Sequence, residues 1–403
     1  MNRQHFLFFV VLILFVSTIN NVSASPPIII SGDGLNEKQI ESLGLFPPSP
    51  PKMHFIYTEN DLKAMEYSRY PENYFYLMND IEITDAVWMP IGSASEPFSG
   101  DFYGNNNTII LKNDVTFVSL GNQNDDGYGF FGNIECARIY DLNLVFQGNV
   151  TSEFSNTGAL VGKVGFNDYE YRSGLSMVIN CTVQSESHTI SKEKKVGEFI
   201  RNAINCIIQS IKHMFLGEKK AGISIENMKN DMLQRKEIAI SGENNVGGLV
   251  GNLADGHIYN CSSDFSVIAK KDNAGGLVGY IYTGMVENSS ASGSVEAKGE
   301  NAGGLVGYIQ LGNASSLNDY LGYPNITITN SSATNAVKSQ GHAGGLIGYI
   351  SNSIVIENSS ASGPVDPPGK FGNFIGGWNE EHKPEVISCF YQDEEVDLTA
   401  PSS

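Results

Sequence analysis

Two glutamates, Glu287 and Glu357, stand at the same place in a repeated phrase, ENSSASG. Paired carboxylates facing one groove are what glycoside cleavage requires: one protonates the leaving oxygen and the other activates water or attacks. In the intervening copy, TNSSAT, Thr329 takes the glutamate's place. If each copy is one coil of a stacked β structure, the carboxylates lie about 9.6 Å apart, near the wide end of the inverting geometry. The plainer reading is two solvated surface glutamates, since nothing in the sequence marks a pocket around them.

Other chemistry is thin. The seven histidines, His5, His54, His188, His213, His257, His342 and His382, are scattered and never form His-Glu-x-x-His, so the zinc-peptidase signature is missing. There is no Cys-x-x-Cys pair, Walker loop or G-x-S-x-G elbow. Asp125 and Asp126 in NQNDDGYG form an oxygen-rich loop of the kind that holds calcium. The Gly-Gly-x-Gly-x-Asp run of calcium β-rolls is absent, which favours a polar turn. No cofactor or metal is expected.

The elements that would position any such groups repeat. GGLVG starts at Gly247, Gly275 and Gly303, at intervals of 28, and GGLIG starts at Gly344 after an interval of 41. The extra 13 residues fall within a visible insertion, the 14-residue stretch Leu311 to Pro324. Weaker copies are GFFGNI from Gly129, GALVGKV from Gly158 and the degenerate FIGGW from Phe374. A constant period of this size marks a stacked architecture. Its content of β-branched residues, glycine and serine makes the unit a β-coil and not a helix pair. Leu277 and Ile281, four apart, point into the coil. The glycines are expected to supply positive φ at corners and close backbone approach. Asn180, Asn260, Asn288, Asn330 and Asn358 recur at one register, where stacked amides can bond to the coils above and below.

The flanks read differently. A basic residue followed by the apolar run Phe6 to Val16 suits a signal-peptide core, with Val22-Ser23-Ala24 before the cleavage point, so residues 1–24 are expected to be removed on export. Residues 25–52 carry six prolines and read as an exposed tether. Thr58 and Asp61 form a weak capping box for a short helix, and YFYLMNDIEI reads as strand, so residues 53–183 comprise an N-terminal helix–strand cap and the first coils. In 184–240 the apolar residues Val196, Phe199, Ile200, Ala203, Ile204, Ile207, Ile208 and Ile211 trace one face of a helix. With ten basic and six acidic residues from Ile190 to Ile240, this helical insertion either packs on the flank of the stack or contacts a partner or membrane surface. Residues 241–395 form the main repeat body and 396–403 a tail. The net charge of −19 argues against nucleic acid as a partner.

The joint order of WMPIG (Trp88 to Gly92), PFSGDFYGNNNTI (Pro97 to Ile109), GFFGNI, the GGLVG phrases with their following NC or NSSASG, and the closing ISCFYQDEE resembles the GLUG-motif proteins. The resemblance covers roughly 55–183 and 241–395. It implies an exported microbial surface protein with a β-helical repeat region associated with adhesion, of a kind that accompanies the catalytic part of some immunoglobulin A-cleaving zinc peptidases. The catalytic part has no counterpart here. The expected fold is therefore all-β: a single-stranded parallel β-solenoid of about eight rungs, right-handed by the resemblance. The expected function is a secreted or cell-surface, non-enzymatic, adhesin-like protein binding a host or cell-surface glycan or protein. The rival is a secreted polysaccharide lyase or glycoside hydrolase.

Two modifications are weighed. Of nine N-x-[ST] sequons beyond residue 24, five are the register asparagines; of the other four, Asn106, Asn149, Asn313 and Asn325, the last two lie in the insertion loop and are the glycosylation candidates. Cys181 and Cys261 each follow a register asparagine, so successive rungs would bring their Cα atoms within about 4.8 Å, a separation that a disulfide accepts. The alternative is two reduced thiols stacked in the coil.

Overall fold

A computed structural model describes residues 52–65, 73–118, 126–165, 175–186, 238–310, 326–367, 373–396 and 398. The expected signal peptide, all but the last residue of the tether, the centre of the helical insertion, Asp125, Asn313 and Asn325 lie outside the described residues. At the edges of the insertion, strands Thr182–Ser185 and Ala239–Gly242 extend past the assigned limits.

The chain is a parallel β-solenoid. Five sheets run along it, named I to V here in the order in which one coil visits them, and they hold ten, ten, eight, five and seven strands. One complete coil is Gly256–Tyr259 in sheet I, Ser262–Ser263 in II, Ser266–Ala269 in III, Ala274–Gly275 in IV and Val278–Ile281 in V. All pairings are parallel except the last, where Phe390–Tyr391 meets Glu394–Glu395 antiparallel. Sheet I passes the expected eight rungs because partial coils are added at both ends, Lys52–Ile56 and Glu385–Ile387. At the N-terminal end, Thr58 caps the helix Glu59–Lys63 with a complete capping box, and Leu62 is buried.

The core follows from strict register. Alternation sends every second residue inward, and in-register pairing makes each inward position a column. Phe75, Phe102 and Ile139 stack on Val178, Ile258, Val286, Ile328 and Ile356 in sheet I. Leu277 and Ile281 are fully buried. The core is aromatic in the first coils, with Phe75, Phe98, Phe102, Phe117, Phe130, Phe131 and Phe146 buried, and aliphatic later, where Ala291, Ala333 and Ala361 share a column.

The corners correct one expectation. None of the GGLVG glycines has positive φ; those that do are Gly92, Gly165, Gly284 and Gly293. The left-handed corners are made by asparagine instead. Asn180, Asn260, Asn288, Asn330 and Asn358 turn from sheet I to sheet II with φ between 49° and 54°, and Asn156, Asn245, Asn273 and Asn301 turn from III to IV with φ between 54° and 66°. Asparagine tolerates this region better than other non-glycine residues. The GGLVG glycines are needed for close approach. A Cβ on Gly275 would collide with its own Val278 carbonyl and lie 2.7 Å from the amide nitrogen of Gly307 one coil on.

The amides form ladders at both corners, unequally. From sheet I to II, Asn260 Nδ2 donates to Asn180 Oδ1 (2.8 Å), and Asn180 Nδ2 to Asp141 Oδ1 (2.9 Å). Asn358 Nδ2 faces its own neighbour Glu357 at 3.5 Å. The longer ladder is at the other corner: Asn301 donates to Asn273 (2.9 Å), Asn273 to Asn245 (2.8 Å) and Asn245 to Asn156 (2.9 Å). Sequence reading missed it, although the words NTG, NVGG and NAGG carry it.

The disulfide is also corrected. Cys181 and Cys261 do occupy successive coils, but they are free thiols, as are Cys136 and Cys389. Shared register makes the two side chains parallel instead of facing. Each Sγ contacts the carbonyl two residues back, Ile179 O and Tyr259 O, both at 3.3 Å. Ser289, Ser331 and Ser359 make the same backward bond through Oγ. The forward bonds join them into one line: Cys181 N to Cys261 Sγ, Cys261 N to Ser289 Oγ, Ser289 N to Ser331 Oγ, Ser331 N to Ser359 Oγ and Ser359 N to Cys389 Sγ. NC and NS are thus the same corner. Burial pushes the Cys181 and Cys389 thiols up. Native protein should therefore leave Cys181, Cys261 and Cys389 unlabelled by a thiol reagent, and denaturation without reductant should expose them all. Peptide mapping that finds Cys181 joined to Cys261 would contradict this.

Candidate functional site

Outward positions form columns too. In sheet I, Phe55, Tyr76, Tyr103 and Tyr140 lie one above another, with ring centroids 5.7, 5.0 and 5.0 Å apart and planes within 28° of parallel. Beside them Arg138 grips the buried Asp101 through two bonds of 2.8 and 2.7 Å, and that ion pair holds the guanidinium pKa above its ordinary value. Burial, aided by the Asp101 charge, pushes Tyr103 up to about 12. In such a stack the inner rings cover one another's faces, while Phe55 at the end of the column is 53% exposed.

Farther along the same column stand Tyr259, Glu287, Thr329 and Glu357. The two glutamates are therefore in register with Thr329 between them. Glu287 Oε2 lies 3.5 Å from His257 Nε2. Burial draws the His257 pKa down, and the Glu287 carboxylate opposes it in part. Asp126 is also engaged: its Oδ1 accepts from the Ala94 amide at 2.8 Å. Among the described residues no three acidic, His or Cys side chains are grouped to hold a metal.

Sheet V carries a second aromatic column, Tyr280, Tyr308 and Tyr349, with ring centroids 5.6 and 5.9 Å apart. Tyr308 and Ser351 share a hydroxyl bond of 2.7 Å. Burial, with Tyr308 and Tyr282 alongside, pushes Tyr280 up to about 12. The next position in this column is Gly377. The missing side chain leaves the outer face of Tyr349 without the ring that covers each tyrosine before it.

The repeat departs from itself at a second point here. The long asparagine ladder ends at Asn301, and the following coil places His342 at that corner: Ala302 N donates to His342 O as Ala274 N donates to Asn301 O. The His342 ring packs on Tyr349 at 4.6 Å. A Cβ on Gly377 would sit 2.8 Å from His342 Nδ1 and 3.1 Å from the Tyr349 ring.

These departures border a cavity of about 480 Å³ lined by His342, Tyr349, Gly377, Trp378, Asn379, Glu380 and Glu381. That volume suits a small ligand. Trp378, 7% exposed, forms the floor in register with Ile350. Asn379 fixes the lip: its amide donates to Ile350 O (2.8 Å), its Oδ1 accepts from Glu381 N (3.1 Å), and its carbonyl accepts from His382 N (2.8 Å). Glu380 and Glu381 stand on that turn, exposed. Glu287 and Glu357, on sheet I, do not line the cavity.

The recurring words now have a structural meaning, and the comparisons agree with them. The GLUG motif is matched at residues 242–268, 273–296 and 339–366. The chain carries GLUG repeats. Each matched GLUG segment runs through the asparagine corner, the close-packed glycines or the small Cys/Ser column. The fold is similar to a crystal structure at 1.30 Å resolution of a Bacteroides ovatus protein proposed to be an immunoglobulin A1 protease, with a TM-score of 0.51, 19% identity and 83% of each chain covered. At that identity the likeness concerns the fold. No curated protein matches the chain. The cavity lies at sheet V, where His342 and Tyr349 of the final matched segment meet Gly377 to Glu381, which follow that segment.

The site residues that sequence reading missed are His342, Tyr349, Trp378, Asn379, Glu380 and Glu381. The signal for them was present as failure of the repeat: GHAGG where NAGG is the norm, and FIGGWNE where the tyrosine of GGLVGYI gives way to glycine.

Proposed function

We propose that this chain is an exported, surface-associated binding protein that holds one unit of an extracellular glycan in the cavity at Tyr349 without cleaving it. The observation that carries the reading is the Tyr349 ring, paired with His342, in the wall of the cavity beside Gly377. A sugar ring presents an apolar face suited to an aromatic platform and hydroxyls suited to fixed acceptors, and Glu380 and Glu381 provide those acceptors at the lip. The long rigid body would present this pocket at the end of a solenoid. Export is supported by the apolar segment Phe6 to Val16.

Titration against a panel of neutral, acidic and basic oligosaccharides, followed by tryptophan fluorescence, tests it. Trp88 is buried elsewhere, so Trp378 is the reporting indole. Binding to at least one class is expected, and Tyr349→Ala is expected to weaken it by at least about tenfold, some 1.4 kcal/mol. Absence of binding across the panel, or binding indifferent to Tyr349→Ala, would refute the proposal. The register of Glu287 with Glu357 favours a second reading, glycan cleavage. Product formation abolished by Glu287→Gln or Glu357→Gln would establish it over the first.

A further inference from the structure

We infer that two copies of this chain associate through the outer face of sheet I in its first coils, with the solenoids antiparallel about a two-fold axis. Nine large apolar side chains are exposed among the described residues, and six of them, Met53, Phe55, Tyr57, Met78, Val87 and Met89, fall between residues 53 and 89. Four of the six form one patch. Met53, Phe55 and Tyr57 alternate outward along and just past the strand Lys52–Ile56. Ile56 pairs with Leu77, so Met78 follows on the next coil, level with Tyr57. Tyr74 and Tyr76 lie in register with Met53 and Phe55, and Tyr103 and Tyr140 continue the second column, all four half-buried. The charges inside the patch, Arg138 and Asp101, cancel each other at 2.7 Å, and lysine stands only at its rim, as Lys52. Aromatic residues, methionine and arginine with few other charges are the composition of a protein interface.

Charge and area identify the partner as a second copy. Each chain carries a net charge of −19, so copies repel elsewhere and the neutral patch is where they can touch. Glu287, Glu357 and Glu385 stand farther along the same two columns. Parallel solenoids would bring these carboxylates face to face, whereas the antiparallel two-fold pairs the patch with itself and points the acidic ends apart. The patch exposes roughly 500 Å² per copy, taking ~200 Å² for each whole side chain. Two copies then bury about 1,000 Å², the lower bound of a specific interface, so the dimer is weak and concentration-dependent.

Sedimentation equilibrium of the exported chain over a range of concentrations, at low and high salt, tests the inference. A reversible monomer–dimer equilibrium is expected, tightening as salt rises because screening removes the repulsion between like-charged copies. Phe55→Glu/Met78→Glu sets like charges across the two-fold and should weaken the dimer at least about tenfold. Val87→Glu, also exposed but on sheet III, should leave it unchanged. In the unsubstituted chain, peroxide should oxidise Met53 and Met78 more slowly as concentration rises, because their sulfurs become covered, while Met89 keeps its rate. A monomer at every concentration, a dimer indifferent to Phe55→Glu/Met78→Glu, or one weakened equally by Val87→Glu would overturn the inference. So would a monomer whose Met53 and Met78 are protected by neutral phospholipid vesicles, since the patch would then be a membrane contact.

Discussion

Gly303→Ala should destabilise the solenoid by roughly 3 kcal/mol, at the upper end for overpacking a filled interior. The new methyl group collides with the Val306 carbonyl of its own turn and lies 2.6 Å from the amide nitrogen of Gly348 in the next coil. Both obstacles are backbone. The second belongs to the close approach of adjacent coils, where Leu305 N and Val306 N both donate to Leu346 O at 2.8 and 3.0 Å. Relief therefore requires the coils to separate, not a side chain to rotate. Gly341→Ala is the control: its Cβ would meet only the Glu300 side chain and Cα, at 3.0 to 3.4 Å, and the effect should stay within about 0.5 kcal/mol. Urea midpoints for the two variants make the comparison. Because stacked repeats lose stability locally, hydrogen exchange should show lost protection around 302–309 and 343–350 in Gly303→Ala. Equal midpoints for the two variants would contradict close approach as the reason for the GGLVG glycines.

Asn273→Ala is expected to cost about 3 kcal/mol, from two sources that a second variant separates. Asn273 has φ of 66°, where alanine pays about 1–2 kcal/mol for its Cβ. Its amide also stands mid-ladder, donating to Asn245 at 2.8 Å and accepting from Asn301 at 2.9 Å. Two partly buried bonds of about 1 kcal/mol each make up the rest. Asn273→Gly relieves the strain while still breaking the ladder, so it should recover roughly half of the loss. If glycine is no better than alanine, the backbone argument fails; if glycine matches the wild type, the ladder contributes nothing. Asn288, at the other corner with φ of 51°, should follow the same order.

Much of this was readable beforehand, and the misreadings are informative. The 28-residue period, the inward Leu277 and Ile281, the capping box at Thr58 and the shared register of Glu287 with Glu357 are properties of local spacing, and spacing is what a sequence displays. The glycines were expected to serve both positive φ and close approach, and only close approach holds for the GGLVG glycines, because the two needs select the same residue. Only the neighbouring coil shows which need applies. For Cys181 and Cys261 the sequence left a bridge and two stacked thiols both open, because shared register brings the residues near each other; the structure holds the stacked thiols.

By itself, the sequence determined that the chain coils as β structure with a fixed period, because alternation of inward and outward residues is set by strand geometry within each coil. It also determined that the charge is strongly negative and that familiar catalytic motifs are missing. Tertiary structure alone decided what those coils bring together. Tyr349 and Gly377 become neighbours only because adjacent coils stack in register, and Asn245 reaches Asn156 across 89 residues of chain. The pocket at His342, Tyr349 and Trp378 exists because a ladder and a column both fail near the same end of the stack. The physical reason is that periodicity is encoded by neighbours along the chain, whereas a binding surface is made by neighbours across it.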